Sequence, residues 1–186
     1  MIGFAMCGSY CTHSKSLCEL EKLLKCGYDV LPVISENVSK TDTRFGSAEK
    51  LKKRLFELCG REAIESIVDA EPIGPKTVLD ALIICPCTGN TLAKIASGIT
   101  DTSVTMAAKA HLRGDRPLLI ALATNDAMSA NLANIGKLLN RKNVYFVPMV
   151  QDDPENKPHS LVADFSLLLP SFDFAMQGKQ YRKIFL

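Results

Sequence analysis

Four small polar residues follow a buried apolar run near the middle of the chain. The run covers residues 81–85, and shortly after it the sequence reads Thr88, Gly89, Asn90 and Thr91. Two hydroxyls, an amide and a glycine that permits close backbone approach can together hold a flat ligand with a polar edge. The same residues are compatible with a strand-to-helix turn capped by Thr88 or Asn90, and both interpretations stay open at this point.

Two further loops are expected at the same edge of the sheet. Gly8, Ser9 and Tyr10 lie between an apolar strand and a helix, where free N–H groups and the helix dipole favour an anion such as a phosphate. Ser35 follows the second predicted strand and offers a hydroxyl to the same phosphate, although serine there is also a typical helix cap. The first loop is neither a GxGxxG nor a Walker pattern, so alone it is a weak signal.

Side-chain catalysts are scarce in this sequence. His13, beside the first loop, is a candidate acid or anion partner, and Cys87 is a candidate thiolate, although lone residues of both types are more often structural. Cys7, Cys11 and His13 have a spacing that metal ligands use, but no second Cys/His pair follows, and we predict no metal site. The scarcity favours a bound cofactor that carries the chemistry itself.

The elements that position these residues follow from composition and periodicity. The 186 residues are 47% apolar and 23% charged with a formal net charge of +2, which predicts one globular domain over residues 1–186 and does not favour nucleic-acid binding. No apolar run reaches the roughly 18 residues of a membrane span. Seven cysteines without a disulfide framework are typical of a reducing cytoplasm.

Apolar runs alternate with helical patterns along the whole chain. The predicted strands cover residues 2–6, 29–34, 81–85, 117–123 and 143–148. This alternation predicts an α/β fold with a doubly wound, mostly parallel sheet, in a Rossmann-like or flavodoxin-like three-layer sandwich.

Several segments are assigned from weaker signals. Residues 38–46 are polar and predict a mobile loop, while residues 128–139 predict a helix. Residues 143–148 are expected to be the last strand. Residues 160–177 are expected to form a final helical segment that Pro170 interrupts.

The order and spacing of these motifs resemble the flavoprotein family that contains the cysteine decarboxylases and the flavin prenyltransferases. The resemblance covers most of the chain, through residues 8–9, 33–35, 86–91, 98–101, 107–112 and 116–119. It implies bound FMN, with the phosphate at the first loop and at Ser35. It also implies that the flavin ring lies near residues 88–91 at a subunit interface, in trimers or in dodecamers of four trimers.

Departures from the family patterns bear on the activity. The cysteine decarboxylases have a Pro-x-Met-Asn motif and a histidine in the loop after the second strand, whereas residues 123–128 read Ala-Thr-Asn-Asp-Ala-Met and residues 38–46 contain no histidine. The flavin prenyltransferases have an arginine at the place of Met106. We keep Met106 as a cofactor-binding position that cannot bind phosphate, which leaves Lys157 as a plausible phosphate partner.

The whole sequence looks like one branch of this family. The resemblance implies work with a separate, NAD(P)-binding A subunit in the oxidation of a cyclic dicarboxylate similar to dihydrodipicolinate, during bacterial sporulation. A prenyltransferase or decarboxylase acting alone, and a non-catalytic protein that stabilises the A subunit, remain open as alternatives.

Asn90 is the best single catalytic candidate for this reaction, and His13 is the second. Other side chains that can meet a dicarboxylate are Asn125, Asn131, Lys94, Lys109 and Lys157. A homo-oligomer is expected, with close packing between subunits through the small and apolar side chains of Val104, Ala107, Ala108 and Ala110.

Overall fold

A computed structural model describes residues 1–181 and 183–186 of the chain, in which strands alternate with helices. The strands are β1 (Ile2–Met6), β2 (Val30–Ile34), β3 (Ala81–Cys87), β4 (Leu118–Thr124), β5 (Val144–Phe146), β6 (Met149–Val150) and β7 (Leu161–Ala163). The helices are α1 (His13–Lys25), α2 (Glu36–Lys40), α3 (Ala48–Cys59), α4 (Ile67–Ala70), α5 (Gly89–Ser97), α6 (Ser103–Leu112), α7 (Leu132–Leu139) and α8 (Leu168–Met176). Within these ranges, no helix combines the length and the apolar character that a bilayer crossing needs.

The strands form one sheet in the order β2-β1-β3-β4-β7-β6, and β5 also pairs with β4. Strands β1 to β5 make parallel pairs, while β7 runs antiparallel to both β4 and β6. The first part of β4 pairs with β5, and its last two residues pair with β7. These pairings confirm the predicted α/β fold with a mostly parallel sheet.

Each face of the sheet is covered by its own group of helices. Helices α5 and α7 pack on one face through Leu92 and Ile135, and α1 and α8 pack on the other through Leu20 and Phe172. Successive residues of β4 alternate between these two cores. A strand covered on both faces must be apolar throughout, which is why β4 reads as an unbroken apolar run.

The chain after β5 differs from its prediction. The strand at residues 144–146 is not the last, because β6 and β7 follow it and lie beyond the end of β4. Pairing with β4 is a tertiary contact that the local sequence pattern does not contain. Helix α8 is not interrupted at Pro170, because this residue lies in the first helical turn, where backbone N–H groups have no intrahelical partner to lose.

Two earlier segments also differ. The predicted loop at residues 38–46 begins as helix α2, which Ser35 caps by accepting a hydrogen bond from the N–H of Val38 at 3.4 Å. Helix α7 begins at Leu132 rather than at residue 128, because Asp126 and Asn131 organise the preceding residues into turns.

Helix α6 is enclosed by the chain itself. Val104, Ala107, Ala108 and Ala110 are each no more than 4% exposed, and α6 packs against α4 as well as against the sheet. The expectation that these four side chains form a subunit contact is therefore wrong, because they belong to the core of this chain.

Gly74 lies in the loop after α4 and contacts the last turn of α6. A substitution there therefore tests how tightly these elements pack. Its φ is +97°, and a Cβ atom there would lie 2.7 Å from the backbone oxygen of Ala110. Gly27 has a similar φ of +86° but no atom within 4 Å of the same Cβ position. We expect Gly74→Ala to lower the free energy of unfolding by about 1–3 kcal/mol more than Gly27→Ala, because only the first adds a steric overlap. Urea denaturation measures both, and equal losses would contradict this account of the packing.

Candidate functional site

The floor of the site is the turn between β3 and α5. Thr88 caps α5, since its Oγ1 accepts from the N–H of Thr91 at 3.3 Å and also contacts Thr91 Oγ1 at 3.1 Å. Asn90 is exposed, and its side-chain amide has no hydrogen-bond partner among the described residues. Thr88 therefore serves the helix, while Asn90 remains available to a ligand.

Gly89 is held against the end of β4 by a polar cluster. Asp126 accepts from Thr124 Oγ1 and, at 2.9 and 3.0 Å, from Asn131 Nδ2, and the Thr124 bond is the first cause of the lowered pKa of Asp126. A Cβ atom at Gly89 would lie 2.5 Å from Thr124 Oγ1 and 2.6 Å from Asn131 Nδ2. Only glycine allows this approach, which fixes the position of Asn90 one residue further on. Asn131 is buried and its side-chain amide is bound to Asp126, so it lines neither of the clefts described below.

The loop after β1 leads into a single 3-10 turn, Tyr10–Thr12, before α1 begins. Thr12 Oγ1 donates to the carbonyl oxygen of Ser9 at 2.8 Å and fixes this turn. The N–H groups of Gly8 and Tyr10 have no acceptor among the described residues. The loop thus presents free donors, as the sequence predicts for an anion site.

Two adjoining clefts open beside these loops. The larger, which we call the main cleft, has a volume of about 720 Å³, and the smaller has about 350 Å³. Both are lined by Gly8, Tyr10, Thr88 and Asn90. Ser9 and Gly89 line only the main cleft, whereas Ser35 and Thr91 line only the smaller one. The structure therefore brings all the predicted loop residues to one region of the surface, but it divides them between two clefts that share four lining residues.

The two clefts differ in charge. The main cleft is lined by Lys15, Arg44 and Lys157 and by one carboxylate, Asp152, which leaves an excess of two positive charges. Lys157 pairs with Asp152 at 3.2 Å. The smaller cleft contains Lys94, which pairs with Asp101 at 2.9 Å, and the carboxylate of Glu36.

His13 lies outside both clefts. It lines a separate cavity of about 250 Å³ between α1 and α3, and its Nε2 is 2.8 Å from the carbonyl oxygen of Cys7. Burial lowers the pKa of His13, although the contact with the Cys7 carbonyl acts in the opposite direction. The imidazole is therefore neutral at pH 7, and its predicted catalytic role stays a prediction without a contact to either cleft.

The buried cysteines do not act as nucleophiles in this arrangement. Cys7, Cys85 and Cys87 are at most 1% exposed. Burial raises the pKa of Cys7 to about 11 and that of Cys85 to about 12, and it raises the pKa of Cys87 well above its usual value. A neutral, enclosed thiol at Cys87 is chemically inert.

Other candidates lie away from the clefts, and some lining residues were not predicted. Met106 is partly buried against the core and lines neither cleft, and Lys109 lies in a small cavity near Arg141. Sequence reasoning missed Lys15, Arg44 and Phe45, which line the main cleft. No sequence motif indicates them, because they reach the cleft from α1 and from a loop whose sequence shows only that it is polar.

The chain belongs to the flavoprotein family, whose model matches residues 1–164. It is 44% identical to the B subunit of dipicolinate synthase from Bacillus subtilis (strain 168) over 183 residues, which is 98% of this chain and 92% of that protein. The crystal structure of the B subunit of dipicolinate synthase from Bacillus halodurans C superposes with a TM-score of 0.91 at 39% identity, covering 100% of this chain and 95% of that chain. The FMN-dependent cysteine decarboxylase SpaF shares the fold, with a TM-score of 0.66 at 20% identity and 95% coverage of both chains.

The approach of Gly89 to the Asp126 cluster can be tested by adding one methyl group. We expect Gly89→Ala to lower the free energy of unfolding by about 1–3 kcal/mol, since the new Cβ overlaps three polar atoms. Gly136→Ala is the matched control in α7, because its Cβ would have nothing within 4 Å. Alanine there should be neutral or stabilise by about 0.5–1 kcal/mol. Thermal or urea unfolding checks both, and a Gly89→Ala protein as stable as the control would refute the close approach.

Proposed function

We propose that this chain is the FMN-binding subunit of a dipicolinate synthase, a cytoplasmic oxidoreductase of sporulation. It acts with an NAD(P)-binding A subunit on a dihydrodipicolinate-like precursor and assembles as a trimer or dodecamer. The observation that carries the proposal is the pair of clefts that meet at Asn90, one rich in neutral donors and one positively charged. The similarity to the B subunit of dipicolinate synthase along nearly the whole chain supports the choice of reaction.

The donor set of the smaller cleft fits FMN. Ser35 accepts from Val38 N–H, so its hydroxyl proton remains free for a phosphate oxygen, together with the N–H groups of Gly8 and Tyr10. Two carboxylates would oppose a phosphate, but Lys94 neutralises Asp101.

The second opposing carboxylate, Glu36, is also partly compensated. Its Oε1 accepts from the N–H of Ser103 at 2.9 Å, at the positive end of α6. Its Oε2 is buried without a partner among the described residues, which suits a hydroxyl of the ribityl chain. The cleft therefore offers donors for a phosphate and an acceptor for a sugar alcohol.

The reaction removes two electrons and two protons from a dihydropyridine dicarboxylate and leaves an aromatic ring. Bound FMN would accept both the two electrons and the two protons. In this proposal Asn90, which lines both clefts, orients the ligands through its free amide. The cationic side chains of the main cleft bind the substrate's carboxylates, and the buried thiols take no part in the reaction.

FMN binding is tested by the visible absorption spectrum of the purified protein, titrated with FMN. We expect Gly8→Asp to weaken FMN binding by several kcal/mol, because a carboxylate would face the phosphate. Gly8→Ala is the control, since its Cβ would only touch the Tyr10 ring at 3.5 Å. Unchanged affinity in Gly8→Asp would remove the phosphate assignment, and a silent spectrum at saturating FMN would favour a non-catalytic role.

The catalytic role is tested with the reconstituted two-component enzyme. We expect Asn90→Ala to lower the rate of dipicolinate formation while the oligomer, measured by sedimentation, stays intact. Asn140→Ala, an exposed change at the end of α7, should leave the rate unaltered. If the A subunit forms dipicolinate at the full rate without this chain, this chain has only a binding or stabilising role. Decarboxylation of a substrate or prenylation of flavin by this chain without its partner would instead favour an independent decarboxylase or prenyltransferase.

A further inference from the structure

Two cationic side chains reach the main cleft from different elements and have no ion pair among the described residues. Lys15 projects from the first turn of α1, and Arg44 projects from the loop between α2 and α3. The third cation of the cleft, Lys157, is already paired with Asp152, which also accepts from Ser160 at 2.6 Å. The positive charge that a ligand can use therefore belongs to Lys15 and Arg44.

The loop that carries Arg44 is locked by its own hydrogen bonds. This loop covers residues 41–47. Thr43 and Gly46 exchange two backbone hydrogen bonds of 3.0 and 3.1 Å, and the N–H of Phe45 donates to Thr43 Oγ1 at 3.1 Å. Asp42 accepts from the N–H of Ala48 at 2.9 Å and ties the loop to the start of α3. The tip is thus a tight turn with a defined direction.

This turn holds an aromatic ring and a guanidinium group together at the cleft. Phe45 is 54% exposed, and the Arg44 Cζ atom lies 4.9 Å from the centre of its ring. Both residues line the main cleft, whose other walls include Tyr10 and Asn90. An exposed phenyl ring beside a fixed positive charge is a suitable surface for a flat ligand with an anionic edge.

Two neighbouring cavities offer a dicarboxylate no unpaired cation apart from Lys15, because Lys94 is already paired with Asp101. The smaller cleft carries two carboxylates against one lysine, and a groove on the other side of Lys15 contains Glu19, Asp152 and Asp164. Of these three cavities, only the main cleft has excess positive charge. Ser35, which suits the FMN phosphate, lies in the smaller cleft and not beside Arg44.

We propose that Arg44 and Lys15 each bind one carboxylate of a planar ring dicarboxylate while Phe45 packs on the ring. This assignment rests on the proposed function, whose substrate class it connects to specific residues. It makes Arg44, Lys15 and Phe45 the residues that distinguish a dicarboxylate from a monocarboxylate.

The test is calorimetric binding of dipicolinate, with picolinate as the probe that lacks one carboxylate. The wild-type protein is expected to prefer dipicolinate, and Arg44→Gln or Lys15→Gln should each weaken dipicolinate binding about tenfold or more, as loss of a charged hydrogen bond does. Both variants should reduce the preference over picolinate. Phe45→Leu should weaken both probes, and Phe45→Tyr should restore them. Arg113→Gln is the matched control, because Arg113 is exposed at the end of α6 and lines neither cleft.

Each titration is run with and without FMN, and FMN binding is measured separately by absorption. Dipicolinate binding that needs Arg44 supports the assignment even if the protein binds no FMN, so the flavin proposal can fail alone. Unaltered dipicolinate affinity in Arg44→Gln overturns it, and so does a loss of FMN affinity alone, which would assign Arg44 to the phosphate. No binding of millimolar dipicolinate by the wild-type protein also overturns it.

Discussion

The site depends on the contact between Gly89 and the polar cluster at the end of β4. Parallel strands bring their carboxyl ends to one edge, but they do not by themselves fix the loops that follow. Here the carboxylate of Asp126 binds Thr124 and Asn131, and the three side chains leave room only for a hydrogen atom at Gly89. The start of α5 is thereby fastened to β4. Asn90, the residue shared by both clefts, takes its position from this contact.

Much of the fold could be predicted because the central strands are covered on both faces. Residues 2–6 were predicted with their observed bounds, and β4 was displaced by only one residue, since continuous apolar runs leave little ambiguity. Strands β6 and β7 could not be predicted. They have two and three residues, and they exist because the end of β4 has a free side for pairing. Such a contact joins residues that are distant along the chain.

The candidate site was predictable where a motif follows a strand, and not where a side chain arrives from elsewhere. Gly8 and Thr88 each come just after a buried strand, so topology alone places them at the same edge. His13 also follows such a loop, but the intervening 3-10 turn directs it toward α3. Arg44 enters the main cleft from a turn whose geometry depends on backbone bonds between Thr43 and Gly46. Composition describes that segment only as polar.

Segments of the chain itself bridge to the two end strands of the main strand order, β2 and β6. Beside β2, Ile64 bridges to Val33 and exchanges backbone hydrogen bonds with Pro32 and Ile34. Beside β6, the carbonyl of Met149 accepts from the N–H of Leu186, and the N–H of Met149 donates to the carbonyl of Ile184. Outer strands with free main-chain groups are templates for pairing with another molecule. Main-chain groups that the chain's own segments already occupy in this way are not available for pairing with another copy of the chain.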